Sequence, residues 1–475
     1  MSSRTTDRWC RHPLRAALLT VLATALLVPP GASAGQSVHE PGTYLPAEVI
    51  VRYDAGTAPA AQSRVERAAG TRAAGTLPGG SKRLEVADGG SVAESVAELR
   101  RDPHVAHAVP NYVARASAFY PNDPGFSLQW NFGGPFGINM PEAWTLASQR
   151  NAPGGRGAIV AVLDTGVAYR QLGDYRRAPD LHAFVRGYDF VDDDPYPVDL
   201  NGHGTHVAGT IAEATNNGIG AAGIAYGARI MPVRTLDALG AGDAVTISRG
   251  IRYAVSHHAD VINLSLEFAP RVAAGDLPDV LAALSYARRQ GVVVTTVAGN
   301  RANPSALPLP ARSSRVIAVA ATTANGCHAK YSNAGAQIDV AAPGGGPDDA
   351  PADDDWDRAH CQPGTEGRSI YQETMGADPT RFALRSGYYG TSMAAPHVAG
   401  LAALIIASGR LGPHPSPAAV QQLIEQTARD IGPPGYDIRY GHGLIDAAAA
   451  LRRRQQPCVC LTSQRKELRT NDSPL

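Results

Sequence analysis

The sequence predicts an α/β fold, with a mostly parallel sheet covered by helices on both faces and a small α+β module in front of it. Between residues 158 and 451, short apolar runs rich in β-branched residues alternate with helical patterns. Apolar strands separated by helices are typical of a parallel sheet that is buried on both faces. The runs span residues 158–163, 229–233, 261–266, 292–297 and 315–320.

The amino-terminal segment has the layout of a secretory signal peptide. Arginines precede an apolar run at residues 16–28, which is followed by Ala32, Ser33 and Ala34. The run of about 13 residues is too short for a membrane-spanning helix, which needs about 20. We therefore expect a signal peptide at residues 1–34, secretion to the extracellular space, and no membrane contact after its removal.

The sequence of residues 35–116 predicts a small α+β module. A strand-like run at residues 47–53 precedes helix-prone stretches at residues 60–69 and 91–101. Small residues followed by Pro and Asn fill residues 114–124, and such turn formers indicate a linker.

The length of the chain and its net charge limit which domains and partners we expect. We place one large domain at residues 117–451 and a polar, solvated tail at residues 452–475. The sequence has 43 Lys and Arg residues and 43 Asp and Glu residues, so its formal net charge is zero. The basic excess that nucleic-acid binding requires is missing, and we expect no nucleic-acid partner.

Four of the five cysteines enter an oxidising compartment, because only Cys10 leaves with the signal peptide. Cys327 and Cys361 lie inside the large domain, and we predict that they form a disulfide. The bond would close a loop of about 33 residues, worth about 3–4 kcal/mol. Cys458 and Cys460 are one residue apart, which strains a mutual bridge, and their pairing stays open.

Three polar residues supply the parts of a nucleophilic site. A serine becomes a nucleophile when an imidazole takes its proton, and a carboxylate must hold the imidazole's tautomer. Asp164 directly follows an apolar run, where parallel sheets bind their ligands. His203 lies in Asn-Gly-His-Gly-Thr-His-Val-Ala-Gly and Ser392 in Gly-Thr-Ser-Met-Ala-Ala-Pro-His-Val-Ala-Gly, each opening a predicted helix.

These segments resemble the subtilisin-like serine proteases, the subtilase family, of the bacterial secreted type, in the family's order Asp, His, Ser. The resemblance covers about residues 126–450. It implies a subtilisin-like fold and a serine endopeptidase. In that enzyme Asp164 would orient His203, His203 would act as general base and then acid, and Ser392 would attack the scissile carbonyl.

Asn300 follows another apolar run and resembles the family's asparagine, whose side-chain amide donates to the oxyanion. The peptide N–H of Ser392 is the second donor that the resemblance implies. His206 and His397 match no catalytic position, and we interpret them as packed structural histidines.

The family binds peptides by strand addition, and residues 236–242 and 265–267 resemble the edges that it uses. Extended polypeptides are therefore the expected substrates. The substrate-binding residues implied by the resemblance are Leu236, Gly240, Ser265, Leu266 and Glu267.

Two charged residues depart from the family's pattern beside the pocket for the residue that precedes the cut. Glu267 stands where the family usually has glycine, and Arg301 directly follows Asn300. If the two pair, their fields cancel, which predicts a narrowed pocket that accepts medium-sized apolar residues without a strong charge preference. In the alternative, Glu267 points to solvent and changes nothing.

An acidic loop resembles a calcium site of some family members. Asp189, Asp192 and Asp194 match its carboxylates, and hard oxygen ligands suit Ca²⁺. Val198 stands where a ligand oxygen is expected, so structural calcium and a merely solvated loop both stay open. We expect no cofactor for catalysis. A second acidic cluster at residues 348–357 lacks ligand spacing and is predicted to be solvated.

Residues 44–116 resemble the propeptides that act as intramolecular chaperones in this family. The resemblance implies a self-processing precursor whose partners are polypeptide substrates and its own propeptide. We predict cleavage between Ala114 and Phe119, and a monomeric enzyme.

Two alternatives carry the same residue types. An α/β-hydrolase esterase needs Gly-x-Ser-x-Gly and the order Ser, Asp, His, whereas Ala394 stands two positions after Ser392. A catalytically silent binding protein with the subtilisin fold stays open, because a fold does not establish an activity.

Overall fold

The chain forms two compact units, Met1–Ala116 and Ser117–Leu475. A computed structural model describes residues 44–87, 90–112, 118–349, 361–364, 367–376 and 378–452. The predicted signal peptide, most of the linker before Phe119, nearly all of the predicted tail, and Cys10, Cys458 and Cys460 lie outside the described residues.

The first unit is an antiparallel sheet with two helices. Its elements are β1 (Tyr44–Tyr53), α1 (Pro59–Ala68), β2 (Thr71–Thr76), β3 (Lys82–Val86), α2 (Val92–Leu99) and β4 (Val105–Tyr112). The strands pair antiparallel in the order β2-β3-β1-β4. Val51, Leu84 and Leu99 belong to one core shared by strands and helices. This unit confirms the predicted α+β module.

The second unit alternates strands and helices. Its strands and α-helices are, in chain order, α3 (Met140–Gln149), β5 (Ile159–Asp164), β6 (Tyr188–Asp189), α4 (His203–Ala212), β7 (Arg229–Arg234), α5 (Ala244–Ser256), β8 (Val261–Leu264), α6 (Pro278–Arg289), β9 (Val293–Val297), β10 (Ile317–Thr322), β11 (Val340–Pro343), β12 (Gln372–Met375), β13 (Phe382–Arg385), α7 (Thr391–Ala407), α8 (Pro417–Thr427) and α9 (Ala447–Leu451).

Seven of these strands form one parallel sheet in the order β11-β10-β9-β8-β5-β7-β6. The five predicted runs correspond to β5, β7, β8, β9 and β10. The prediction missed β6, which has two residues, and β11, whose sequence Val-Ala-Ala-Pro contains one β-branched residue. Both outer strands are too short to give a strand pattern.

Helices cover both faces of the sheet. Successive residues of β5 alternate between two cores, with Val160 and Val162 in one and Ala161 and Leu163 in the other. The first core contains side chains of α3, α4, α7, α8 and α9, and the second contains side chains of α5 and α6. This alternation confirms the predicted α/β class with helices on both faces.

The central helix α7 is apolar on nearly every side, as expected for a helix buried in the core of a large domain. Its backbone approaches Ile224 closely, since a Cβ added at Gly400 would lie 2.7 Å from that side chain. The packing fixes the position of the helix that begins one residue before Ser392. Among the described residues, no helix combines the length and the apolar character that a membrane span requires.

The predicted disulfide between Cys327 and Cys361 is present, which confirms that pairing. Beside it, the carboxylate of Asp348 accepts hydrogen bonds from the Asn325 side chain at 2.7 Å and from the N–H of Gly364 at 2.8 Å. The prediction of a solvated acidic cluster is therefore wrong for Asp348, which anchors the segment after Cys361. The remaining acidic residues of this cluster, apart from Asp349, lie outside the described residues.

Candidate active site

A cleft of about 530 Å³ opens at the carboxyl ends of the parallel strands. His203, Asn300 and Ser392 line it. All five predicted substrate-binding residues also line it, namely Leu236, Gly240, Ser265, Leu266 and Glu267. Asp164 lies behind His203 and is fully buried.

Asp164 ends β5 and holds the imidazole of His203. Its Oδ1 accepts the N–H of Thr165 at 2.7 Å and lies 2.7 Å from Nδ1 of His203. A carboxylate can only accept, so Nδ1 is the protonated ring nitrogen and Nε2 is left as the base.

The glycine backbone allows close contact between β5 and the first turn of α4. A Cβ added at Gly204 would lie 2.1 Å from the carbonyl oxygen of Gly166 and 3.1 Å from Cβ of Asp164. Gly202 has a φ of +100°, which favours glycine. The two glycines that flank His203 therefore allow its ring to reach Asp164.

A second buried carboxylate, which the sequence reasoning missed, organises the same turn. Oδ1 of Asp199 accepts the peptide N–H groups of Asn201 and Gly202, both at 2.9 Å. Its Oδ2 accepts the N–H of Thr205 at 2.9 Å. Burial raises the pKa of Asp199, and these hydrogen bonds oppose the increase. An acid shortly before a predicted helix start was the available signal.

The electrostatics of His203 suit a general base. Burial favours the neutral ring, but the charge and the hydrogen bond of Asp164 outweigh burial, so the pKa of His203 is raised from 6.5. The side chain retains 25% of its exposure, which leaves the ring accessible from the cleft.

Ser392 lies in the first turn of α7, after a glycine that the turn requires. Gly390 has a φ of +151°. Ser265 contacts Ser392 from the strand side, because its Oγ donates to the carbonyl oxygen of Ser392 at 2.9 Å. The Oγ of Ser392 in turn donates to the carbonyl oxygen of Ser265 at 3.4 Å.

Thr391, also missed by the sequence reasoning, orients the side-chain amide of Asn300. Both the N–H and the hydroxyl of Thr391 donate to Oδ1 of Asn300 at 2.8 Å. The amide oxygen is thereby occupied, and Nδ2 is left as a donor beside Ser392. This is the orientation that an oxyanion donor needs.

His206 and His397 are buried and hydrogen-bonded to the backbone. Nε2 of His206 donates to the carbonyl oxygen of Ile370 at 3.0 Å, and Nδ1 of His397 donates to that of Met393 at 2.8 Å. Burial lowers the pKa of His206 to about 3 and that of His397 to about 4. Both are neutral packing residues.

Two of the three predicted calcium ligands, Asp189 and Asp192, contact a guanidinium instead. Nη1 of Arg234 lies 2.7 Å from Asp189 and 2.5 Å from Asp192, and Asp194 accepts the N–H of Tyr196 at 2.8 Å. Across the described segments, no group of three or more His, Cys, Asp or Glu side chains is arranged to hold a metal ion. The calcium prediction is not confirmed, because Arg234 supplies the positive charge at this loop.

The pair predicted between Glu267 and Arg301 is present, with Nε of Arg301 3.3 Å from Oε1 of Glu267. Burial raises the pKa of Glu267, while Arg301 and the peptide N–H of Asn300 oppose the increase. The alternative in which Glu267 points away into solvent does not occur.

Comparisons with known proteins agree with this geometry. The subtilase family (peptidase S8) matches residues 155–443, and the fervidolysin N-terminal prodomain matches residues 30–111. A thermophilic serine proteinase of a Bacillus species is 36% identical over 404 residues, which cover 85% of this chain and 87% of the relative.

A second relative, an extracellular protease of Xanthomonas campestris, is 34% identical over 398 residues, covering 74% of this chain and 60% of the relative. A solved structure of a Pseudoalteromonas arctica protease has a TM-score of 0.55 and 34% identity, covering 70% of this chain and 98% of that one. Because the family match covers more than half of the chain, this protein belongs to the subtilase family of serine proteases and has a subtilase prodomain.

Proposed function

We propose that the protein is a secreted serine endopeptidase, made as a self-processing precursor, with Asp164, His203 and Ser392 as its catalytic triad. The observation that carries the proposal is the 2.7 Å contact between Asp164 and Nδ1 of His203, in a cleft that Ser392 and Asn300 also line. A buried acid, an oriented imidazole, a serine at a helix start and an amide donor are the parts that acyl transfer requires.

In the proposed reaction, Nε2 of His203 removes the proton of Ser392 as its Oγ attacks the scissile carbonyl. The negative charge that develops on the carbonyl oxygen receives hydrogen bonds from Nδ2 of Asn300 and from the peptide N–H of Ser392. His203 then gives the proton to the leaving amine. Water repeats the sequence on the acyl-enzyme and releases the free acid.

Substrates of this proposed enzyme are extended polypeptides. The residues that would pair with the substrate backbone line two walls of the cleft, Ser265 to Glu267 on one side and Leu236 and Gly240 on the other. Leu239, between the latter two, exposes 90% of its surface. An exposed apolar side chain beside the cleft offers a contact surface to an extended substrate.

Secretion and maturation complete the proposal. The signal-peptide pattern at residues 1–34 and a relative named as an extracellular protease support export. The prodomain match to residues 30–111 supports a precursor. Cleavage between Ala114 and Phe119 would release the prodomain from the protease unit.

A test uses the full chain and its Ser392→Ala variant, both expressed in a host without extracellular proteases. We expect the wild type to hydrolyse an unfolded protein and to begin near residues 115–119 by amino-terminal sequencing, whereas the variant does neither. If the variant is processed normally, another protease makes the cut. If the folded, processed wild type hydrolyses no polypeptide, the silent binding protein is the better account.

A further inference from the structure

Asn263 is a polar residue in the middle of β8, a strand whose other residues are apolar. It is fully buried, and so is Thr295, its neighbour in register on β9. Polar side chains inside a parallel sheet cost free energy unless each finds a hydrogen-bond partner. These two residues bond to each other and to the segment that follows β8, and their hydrogen bonds lead toward Ser392.

The hydrogen bonds form a chain with one direction. The hydroxyl of Thr295 donates to Oδ1 of Asn263 at 3.1 Å, and Nδ2 of Asn263 donates to Oγ of Ser265 at 2.9 Å. Because Oγ of Ser265 accepts from Asn263, its own proton points to the carbonyl oxygen of Ser392, at 2.9 Å. Each donor therefore orients the next one, and the last bond ends on α7.

The carbonyl of Ser392 lacks its usual helical donor because of Pro396. In an α-helix the carbonyl of one residue accepts the N–H of the residue four positions later. Four positions after Ser392 stands Pro396, inside α7, and proline has no N–H. A proline ring also crowds the carbonyl of the residue four positions earlier. The hydroxyl of Ser265 supplies the donor that Pro396 cannot.

We propose that Asn263 and Thr295 are positioning residues, which act through the hydroxyl of Ser265 to hold the first turn of α7 in its reactive conformation. The inference rests on the proposed endopeptidase function and names further residues of the same site. Ser392 carries both the attacking Oγ and, in its peptide N–H, a proposed oxyanion donor. A first turn that rotates would misplace both groups at once, so fixing its carbonyl favours the transition state.

Thr296, the next residue of β9, is equally buried but lies on the opposite face of the sheet. The first and last residues of β9 belong to the core that contains α7, so Thr295 between them lies on that face. Val294 belongs to the other core, and Thr296 lies on its side. The hydroxyl of Thr296 donates to the carbonyl oxygen of Leu264 at 3.2 Å, outside the chain of hydrogen bonds. Thr296 is therefore a matched control.

The first test compares Thr295→Val with Thr296→Val in the mature enzyme, on one peptide substrate. Each variant keeps the shape of threonine and loses one buried hydrogen bond, so a purely structural role would affect them alike. In Thr295→Val we expect kcat to fall about threefold to tenfold and KM to stay within about twofold, because substrate binding does not use this chain. Thr296→Val should keep both constants, and Thr295→Ser, which restores the hydroxyl, should recover kcat. Equal kcat values in the two valine variants would overturn the proposal.

A second test shows whether Thr295 acts through Ser265. In Ser265→Ala the last donor is gone, so adding Thr295→Val should leave kcat unchanged, whereas independent effects would multiply. Asn263 is the link between the two residues, so this coupling tests its role as well. A fall of kcat in the double variant by the same factor as in the wild-type background would contradict the chain.

The wild type separates this inference from the proposed function. A mature wild type that reacts with a fluorophosphonate and hydrolyses the peptide, with kcat equal in Thr295→Val and Thr296→Val, refutes this inference alone. A wild type that does neither refutes the proposed function and the inference together.

Discussion

Two buried aspartates end strands of the same sheet, and each pairs with a nitrogen base. Asp164 ends β5 and lies 2.7 Å from Nδ1 of His203, and Asp189 ends β6 and lies 2.7 Å from Nη1 of Arg234. Both carboxylates are almost completely buried. The bases differ, because an imidazole exchanges its proton near neutral pH whereas a guanidinium keeps its proton.

The sheet places the two pairs side by side. Arg234 ends β7, between β5 and β6, and it is in register with Asp164 on one side and Asp189 on the other. The side chain of Arg234 is 5% exposed, whereas that of His203 is 25% exposed and lines the cleft. In the proposed enzyme, the same pairing of a buried acid with a nitrogen base is catalytic where the base titrates near neutral pH and lines the cleft, and structural where the base stays protonated and buried.

The largest expected effect is a loss of kcat, and the same substitution made at each of the two aspartates tests which of them causes it. Asp164→Asn should lower kcat by about 10⁴-fold, because the imidazole loses the acceptor that holds its tautomer. Asp189→Asn is the matched control and should leave kcat nearly unchanged while lowering stability. Peptide hydrolysis and thermal unfolding of both variants check this. A large loss of kcat in Asp189→Asn would contradict the division of roles.

The next effect concerns stability. Arg234→Met leaves Asp189 buried without its partner and should cost about 3–5 kcal/mol. The control is Asp192→Asn, whose side chain is 60% exposed, so about 0–1 kcal/mol is expected. Urea unfolding in a Ser392→Ala background, which prevents self-digestion, measures both changes.

The effect of calcium on thermal inactivation is a further test of the loop at residues 189–194. Any protection that calcium gives against thermal inactivation should be unchanged in Asp194→Asn, because Arg234 supplies the positive charge at this loop. Loss of that protection in Asp194→Asn would restore the calcium site that the sequence predicted.

Glu213 is a third buried carboxylate, and it pairs with no nitrogen base among the described residues. Neither oxygen of Glu213 has a hydrogen-bond partner among the described residues. Burial raises its pKa well above the usual value, and the charges of Asp180 and Glu373 add to the increase. The folded state therefore holds a proton that the unfolded state releases above about pH 4.5, so stability falls as pH rises beyond that value.

Glu213→Gln removes this pH dependence. In the Ser392→Ala background it should stabilise the protein by about 1–3 kcal/mol at pH 8, with little change at pH 4. Thermal unfolding at the two pH values provides the measurement. An equal gain at both pH values would show that charge is not the cause.

The smallest expected effect is on the pH profile. A general base must be neutral in the free enzyme, so kcat/KM should rise with pH through the pKa of His203, which lies above 6.5. In Asp164→Asn the midpoint should move to lower pH, because the carboxylate that raises this pKa is removed. A midpoint that stays in place in Asp164→Asn would show that another group controls the profile.

The sequence predicted the residues that lie in recognisable segments and missed those defined by distant contacts. Asp164, His203, Asn300 and Ser392 follow strands or open helices in family-like segments, so their place in one cleft could be inferred. Nothing in the sequence indicates the register that sets Arg234 opposite Asp189, and register decides whether that loop offers oxygens to a metal or to a guanidinium.

Thr391 and Asp199 were missed for a related reason. Their roles consist of hydrogen bonds to the side chain of Asn300 and to the turn before His203, and such bonds depend on where separate elements meet. The Cys327–Cys361 bond could be predicted because few cysteines lie inside the domain.

The most direct test of the account is whether Ser392 is a nucleophile activated by His203 and Asp164. The mature wild type is treated with a fluorophosphonate, digested, and mapped by mass spectrometry, beside folded His203→Ala and Asp164→Asn variants. We expect one phosphonylated residue, Ser392, in the wild type, and labelling slower by orders of magnitude in both variants. Equal labelling rates in all three proteins, or labelling at another serine, would contradict the account.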